Sequence, residues 1–121
     1  MTTTVQKQVL INARALIADP AHWTSCTLAR TAEDYVVDWY DRSATKWCGM
    51  GAIYRAAYDF VSDTKEARRI GNEVAKSVCP TRWHRGGLPT LNDAHGHAMV
   101  LAVFDKALQA ASVAWSKRAR A

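Results

Sequence analysis

The fold is decided by residues 48–61, which read CGMGAIYRAAYDFV. Their apolar side chains recur at helical spacing and fall on two adjacent stripes. The stripes comprise Cys48, Ala52, Ala56 and Phe60, with Ile53, Ala57 and Val61 beside them. This pattern predicts a central helix with a buried face. We expect it to begin after a cap at Asp41 or Ser43 and to end near Val61.

Two glycines near the start of this helix predict a close contact. Gly49 and Gly51 each cost a helix about 1 kcal/mol relative to alanine. Something in the fold must therefore favour them, and the approach of another backbone is the simplest reason. We expect a crossing point or the floor of a pocket there.

The N-terminal part of the chain predicts one helix and a short excursion. Residues 4–18 place apolar side chains at helical spacing, and Asp19 followed by Pro20 ends the pattern. Two short runs, residues 27–31 and 35–39, then flank a turn-like Ala-Glu-Asp sequence. They predict a small hairpin between the first and second helices.

The C-terminal half predicts two more helices on either side of an irregular segment. Asp63, with Glu66 three residues later, resembles a capping box for a helix that ends before Pro80. Residues 80–96 are interrupted by proline and glycine, which predicts a long loop. Residues 97–117 predict the last helix, with an apolar stripe and basic residues near its end.

Length and composition predict a single domain over residues 1–121. The chain has 121 residues and is 49% hydrophobic, which suits one core. With the elements above, the predicted fold class is mainly α. It is a four-helix array with a small hairpin or irregular excursion between helices 1 and 2.

Charge is distributed unevenly along the chain, although the formal net charge is +5. Residues 1–63 hold six Lys or Arg against seven acidic residues, whereas residues 64–121 hold ten against four. A basic surface attracts nucleic acid, acidic protein surfaces or anionic ligands, and charge alone does not choose among them. The basic second half is therefore the expected partner-binding part.

The sequence predicts a cytoplasmic protein without a membrane span. No apolar run approaches the roughly 18 residues of a spanning helix, and the N-terminus lacks a secretory pattern. Cys26, Cys48 and Cys79 are an odd number without close spacing, which is typical of reduced thiols. No cysteine and histidine spacing matches a structural zinc site, so no metal and no cofactor is predicted.

Cys48 is the candidate nucleophile. Near the start of a helix, unpaired backbone N–H groups and the helix dipole lower the pKa of a thiol. A cysteine-dependent hydrolase or transferase would use His97 or His95 as its base. Asp93 or Asn92 would then orient the imidazole. In the alternative, Cys48 is a small core residue, Asp93 caps a turn and Asn92 holds the preceding loop.

Six further residues are candidates for binding. They are Arg68 and Arg69 on the outer face of the third helix, and Arg82, Trp83, His84 and Arg85 in the segment that follows. Basic side chains around an aromatic ring suit phosphate contacts and base stacking. They equally suit a protein-binding loop anchored by a tryptophan.

Two motifs resemble those of a known family. They are Trp47-Cys48-x-x-Gly51-Ala52 and Asn92-Asp93-x-x-Gly96-His97. Both resemble small uncharacterised proteins of bacteria, especially actinobacteria, and their phages. The resemblance covers residues 16–108 and implies no activity, because the family is one of unknown function. It implies that the cysteine, asparagine, aspartate and histidine of these motifs form one cluster, either a site or a scaffold.

These observations favour a non-enzymatic binding module that docks on a protein or nucleoprotein partner through its basic second half. A phage or mobile element is a plausible source, and inhibition of a host defence complex is one such use. The alternatives are the cysteine-dependent enzyme with Cys48 and His97, and direct binding of nucleic acid by the basic segment. The five tryptophans also leave room for an apolar homodimer interface.

Overall fold

The computed structural model describes residues 4–80 and 85–120. Within these residues the protein has five α-helices, one 3-10 turn and two short strands. In chain order they are α1 (Thr4–Ile17), the 3-10 turn (Pro20–His22), β1 (Ala29–Arg30), β2 (Lys46–Trp47), α2 (Gly49–Val61), α3 (Thr64–Val78), α4 (Gly87–His95) and α5 (His97–Arg120). The mainly-α prediction is confirmed, with the excursion between the first two helices. None of the described helices is long and apolar enough to cross a membrane.

Helix α2 lies at the centre of the domain, as its two apolar stripes predict. It packs against both α1 and α3, and its small residues Ala52, Ala56 and Ala57 are fully buried with Ile53. Other core residues are Val9, Ala13 and Ile17 of α1, Ala67, Val74 and Val78 of α3, and Val100 and Phe104 of α5. The stripe ends before Phe60, whose side chain is 46% exposed.

The start of α2 differs from the prediction. The sequence predicts a cap at Asp41 or Ser43, but the helix begins at Gly49. The Asp41 carboxylate instead accepts hydrogen bonds from the backbone N–H and the hydroxyl of Ser43, which closes a turn before β2. Cys48 is the N-cap, and its Sγ accepts a hydrogen bond from Gly51 N at 3.3 Å. Because β2 pairs with β1, the helix cannot begin earlier.

The predicted close approach at the start of α2 is confirmed. A Cβ atom on Gly51 would lie 2.0 Å from the carbonyl oxygen of Leu28. The same carbonyl accepts a hydrogen bond from Cys48 N at 3.3 Å. The backbone before β1 therefore crosses the first turn of α2 at a distance that only glycine permits.

The two strands pair differently from the predicted hairpin. β1 forms an antiparallel pair with β2, in which Ala29 faces Trp47. Residues 35–39 reach the other edge of β1 through one bridge, Arg30 to Val36. The two predicted runs therefore do meet, through this bridge. A strand has hydrogen-bonding groups on both edges, however, and β2 pairs with the opposite edge of β1.

Helix α3 begins as the capping pattern predicts. The Asp63 carboxylate accepts hydrogen bonds from Lys65 N at 2.9 Å and Glu66 N at 3.4 Å. The Glu66 side chain does not complete the reciprocal half of a capping box, because it forms a salt bridge with Arg69. The Asp63 cap thus marks the start of α3, and the salt bridge between Glu66 and Arg69 stabilises its first turn.

The loop predicted over residues 80–96 is wrong for its second half, which forms α4. Pro89 is the third residue of α4 and therefore removes no helical hydrogen bond. Leu88 and Leu91 are buried one turn apart, so this short helix has an apolar face. Gly96, with a φ of +85°, then separates α4 from α5. The described residues form five α-helices where the sequence predicts four, because Pro89 indicates a loop in the sequence pattern.

We predict that Gly51→Ala destabilises the protein much more than Gly49→Ala. Both changes gain the same helix propensity of about 1 kcal/mol. At Gly51 the new Cβ meets a backbone carbonyl, whereas at Gly49 it lies 3.0 Å from a Val100 methyl group that can move. Urea unfolding is expected to show a loss of about 3 kcal/mol or more for Gly51→Ala. Equal losses for the two variants would contradict the close approach.

Candidate functional site

Asn92 of α4 lies at the centre of the predicted cluster and is fully buried. Its Oδ1 accepts hydrogen bonds from Trp23 Nε1 at 2.8 Å and from Gly49 N at 2.9 Å. Its Nδ2 donates to Thr24 O at 3.2 Å and to Asp93 Oδ1 at 3.0 Å. An amide side chain has two donor hydrogens and two acceptor sites. All four are therefore used, and each joins Asn92 to the loop after α1, to the start of α2 or to its own neighbour.

Asp93 extends this arrangement toward the surface. Its Oδ1 accepts a hydrogen bond from Cys26 N at 2.9 Å, in addition to the bond from Asn92. Cys26 has a φ of +67°, a conformation that is unfavourable for a residue with a side chain. The Asp93 carboxylate therefore stabilises a strained turn in the loop. This partner is a backbone amide, not the imidazole that a catalytic role requires.

His97 lies at the first position of α5 and connects it to the end of α1. Its Nε2 lies 2.6 Å from the carbonyl oxygen of Ile17, so Nε2 must carry the proton. The ring also contacts the indole of Trp23, with centroids 5.7 Å apart. The C-terminal carbonyls of a helix lack intrahelical donors. His97 supplies one of those donors to α1.

Cys48 is buried, and opposing influences act on the pKa of its thiol. Burial is the larger one and raises the pKa of Cys48, while hydrogen bonds from backbone N–H groups at the start of α2 lower it. The negative charge of Asp93 raises the pKa further. The helix start therefore acts on the thiol as the sequence predicts, but desolvation outweighs it. The neutral thiol serves as the cap of α2.

The structure thus brings Asn92, Asp93 and His97 of the predicted catalytic residues together, with Trp23 joining His97 to Asn92. Cys48 precedes Gly49, whose N–H donates to Asn92. We call the group comprising Trp23, Thr24, Cys26, Gly49, Asn92, Asp93 and His97 the Asn92 network. It ties the end of α1 to the starts of α2 and α5 and to α4. Its polar atoms bond to backbone groups and to one another, which is the arrangement of a scaffold. The catalytic hypothesis stays a prediction.

Sequence reasoning missed the part of Trp23 in this network. The indole N–H donates to Asn92, and the ring contacts His97. The adjacent Trp23 and Thr24 fit the same family pattern upstream of the two motifs, but the sequence alone gives them no role. The other contributors, Gly49 and Cys26, act through backbone amides. No side-chain pattern reveals such donors.

The predicted binding residues differ in how their charges are used. Arg68 and Arg69 are exposed on α3, and Arg85 is exposed just before α4. Arg69 pairs with Glu66 within the helix, whereas Arg68 has no salt-bridge partner in the part of the chain that the structure describes. Arg82, Trp83 and His84 lie outside the described residues. No described group of His, Cys, Asp and Glu side chains is arranged to hold a metal ion.

A surface that the sequence did not single out lies between β1 and α3. The turn over residues 31–36 exposes Tyr35 by 71% and Val36 by 62%. Beside it is an open groove of about 390 Å³. The groove, called here the Val36–Trp39 groove, is lined by Thr27, Leu28, Val36, Val37, Asp38, Trp39 and Arg68. The sequence predicts a hairpin strand over residues 35–39 and gives no sign that Tyr35 and Val36 are exposed.

The fold and the site define a small helical protein whose polar cluster is built into its hydrogen-bonded framework. The chain belongs to DUF6197, a family of unknown function whose model matches residues 1–110. The prediction of membership in a family of unknown function is thereby confirmed. Comparison with curated proteins and with solved structures finds no match.

We predict that Asn92→Ala costs about 3 kcal/mol or more of unfolding free energy. The change leaves the Gly49 N–H and the Trp23 N–H without their acceptor, and unpaired buried groups cost about 1–3 kcal/mol each. Asn72→Ala is the control, because Asn72 is exposed and accepts a single side-chain hydrogen bond among the described residues, from the Tyr54 hydroxyl. Its expected loss is below about 1 kcal/mol. Urea unfolding measures both, and similar values would contradict the scaffold role.

A second prediction concerns thiol reactivity. At neutral pH an alkylating reagent should react rapidly with Cys26, which is exposed, and slowly with Cys48 and Cys79, which are buried. Burial also raises the pKa of both slow thiols. Cys26→Ser is therefore expected to abolish the rapid phase, and Cys48→Ala to leave it intact. Rapid labelling of Cys48 that is lost in His97→Ala would instead favour the enzyme hypothesis.

Proposed function

We propose that this protein is a non-enzymatic binding module that docks on a protein partner through the turn over residues 31–36. The observation that carries the proposal is the exposure of Tyr35 and Val36, the two most exposed large apolar side chains among the described residues. Tyr40, in the same segment, is 38% exposed. Apolar groups clustered at the surface are typical of interaction sites.

The turn is held in place by hydrogen bonds on both of its sides. Thr31 donates its N–H to Tyr35 O, and its hydroxyl oxygen accepts from Tyr35 N. Asp34, which has a φ of +70°, donates its N–H to Thr31 O. Its carbonyl oxygen accepts from the Arg30 guanidinium and its carboxylate pairs with Lys46. Lys46 thereby lowers the pKa of Asp34.

A preorganised turn supports a binding role because ordering a surface segment opposes association. Immobilising a flexible side chain costs about 0.5–1.5 kcal/mol on binding. In the free protein the backbone that carries Tyr35 and Val36 is already fixed. The free-energy cost of ordering this backbone is therefore met on folding and not on binding. Aromatic residues presented on such a rigid base are the usual energetic centres of protein interfaces.

The charge arrangement on α3 favours a protein over nucleic acid as the partner. Arg69 pairs with Glu66, and Lys76 pairs with Glu73, so two of the helix's basic residues are already neutralised. Affinity for nucleic acid scales with the number of phosphates that free cations neutralise. Direct binding of nucleic acid, a phage origin and a host-defence target stay predictions.

The proposal is tested with the double variant Tyr35→Ser, Val36→Thr and its matched control Phe60→Ser. All three side chains are exposed, so unfolding free energies should change by less than about 0.5 kcal/mol. Affinity capture from cells that express the tagged protein should recover a partner with the wild type and with Phe60→Ser. The double variant should lose it. Equal capture by the double variant and the control would contradict the proposal.

A further inference from the structure

The Val36–Trp39 groove lies where two neighbouring chain segments separate. Val37 N donates to Ala29 O at 3.2 Å, which is the last backbone hydrogen bond between the segments among the described residues. Beyond it, Thr27 and Leu28 form one wall and Asp38 and Trp39 the other. The floor and walls are partly apolar, and the groove is open to solvent. It adjoins the exposed turn through Val36, which belongs to both.

Arg68 lines this groove and forms no salt bridge within the described residues. The neighbouring Arg69 donates to Glu66 from Nε at 3.0 Å and also from a terminal nitrogen. Arg68 has no such bond, although its charge acts on the phenols of Tyr40 and Tyr54. A guanidinium presents several donors in one plane, which matches the two oxygens of a carboxylate.

Trp39 also lines the groove. Its side chain is 1% exposed, and its Nε1 has no hydrogen-bond partner within the described residues. In contrast, Trp47 Nε1 donates to the Trp39 carbonyl oxygen at 3.1 Å. A buried N–H without an acceptor is rare in folded proteins and costs about 1–3 kcal/mol. Because this N–H is enclosed by the protein, the Trp39 indole serves as a reporter of the groove wall.

The acid that lines the groove is already engaged within the protein. The negative charge of Asp38, which also accepts a hydrogen bond from the phenol, raises the pKa of Tyr40. Asp38 is therefore directed to a neighbour on its own segment. The groove then combines the Arg68 guanidinium, which has no salt bridge among the described residues, with an apolar wall of Leu28 and Val37.

We infer that the Val36–Trp39 groove receives an acidic side chain from a segment of the partner protein, with Arg68 holding its carboxylate. Apolar side chains next to that acid rest on Leu28, Val36 and Val37. This inference rests on the proposed function and adds the chemistry of the partner to it. The exposed turn supplies apolar contact, and the groove selects for a Glu or Asp beside it.

The test uses a displayed library of random 12-residue peptides selected on the full-length protein. Selected peptides are expected to contain Glu or Asp next to apolar residues. A synthetic copy of one such peptide should lose at least about tenfold in affinity on Arg68→Ala, the size expected for one charge-assisted hydrogen bond. Arg69→Ala is the matched control, since that side chain is already paired with Glu66. It should change the affinity by less than about twofold.

A second readout reports on the groove itself. In protein labelled with ¹⁵N, the indole signal of Trp39 is assigned by its loss in Trp39→Phe. The acidic peptide should shift this signal, and the same peptide with Gln or Asn in place of the acid should not. Recovery of peptides without acids overturns the inference, as does equal binding to Arg68→Ala and Arg69→Ala.

The two proposals fail in different ways. If cellular capture of the partner is lost in the Tyr35→Ser, Val36→Thr variant but kept in Arg68→Ala, the binding function stands and the groove inference is overturned. If capture survives in the double variant, the proposed function fails first. Urea unfolding of Arg68→Ala should match the wild type, because Arg68 is exposed and unpaired within the described residues.

Discussion

The buried amide of Asn92 holds together the parts of this fold that no apolar contact could fix in register. It joins the loop after α1 to the first turn of α2 and to α4 through four hydrogen bonds. A fully satisfied polar group in a core is compatible with stability, whereas a partly satisfied one is not. The positions of Trp23, Gly49 and Asp93 therefore depend on one another. Asparagine at position 92 supplies both the two donor hydrogens and the two acceptor sites that these bonds use.

The same constraint explains why the cluster looks catalytic in the sequence. Asparagine, aspartate, histidine and cysteine cap helices and hold loops because their side chains reach backbone donors and acceptors. Here Cys48 caps α2, His97 donates to the end of α1, and Asp93 stabilises the turn at Cys26. These are the residue types that catalysis also uses. In this structure Cys48, His97 and Asp93 each have a backbone partner.

Helix α3 was predictable because its start depends on Asp63 and its face on local spacing. The close approach at Gly51 was predictable because glycine destabilises a helix, so its presence there indicates that a neighbouring backbone needs the space. Helix α4 was missed, since Pro89 signals a loop unless it lies in the first turn. The strand pairing was missed because β2 comes from residues 46–47, far along the chain from β1. For the site, the residues were predicted but their backbone partners were not, because main-chain donors leave no trace in a sequence.

The bond between Trp23 and Asn92 has a consequence for the order in which the chain folds. The two residues are 69 positions apart, so forming the bond closes a long loop and restricts the chain accordingly. Helices α2 and α3 are separated by only two residues and can pair early. Helix α1 packs directly on α2, so it is the bond from Trp23 that must wait until α4 is present. Formation of the Asn92 network is therefore a late event, and damage to it should accelerate unfolding more than it slows folding.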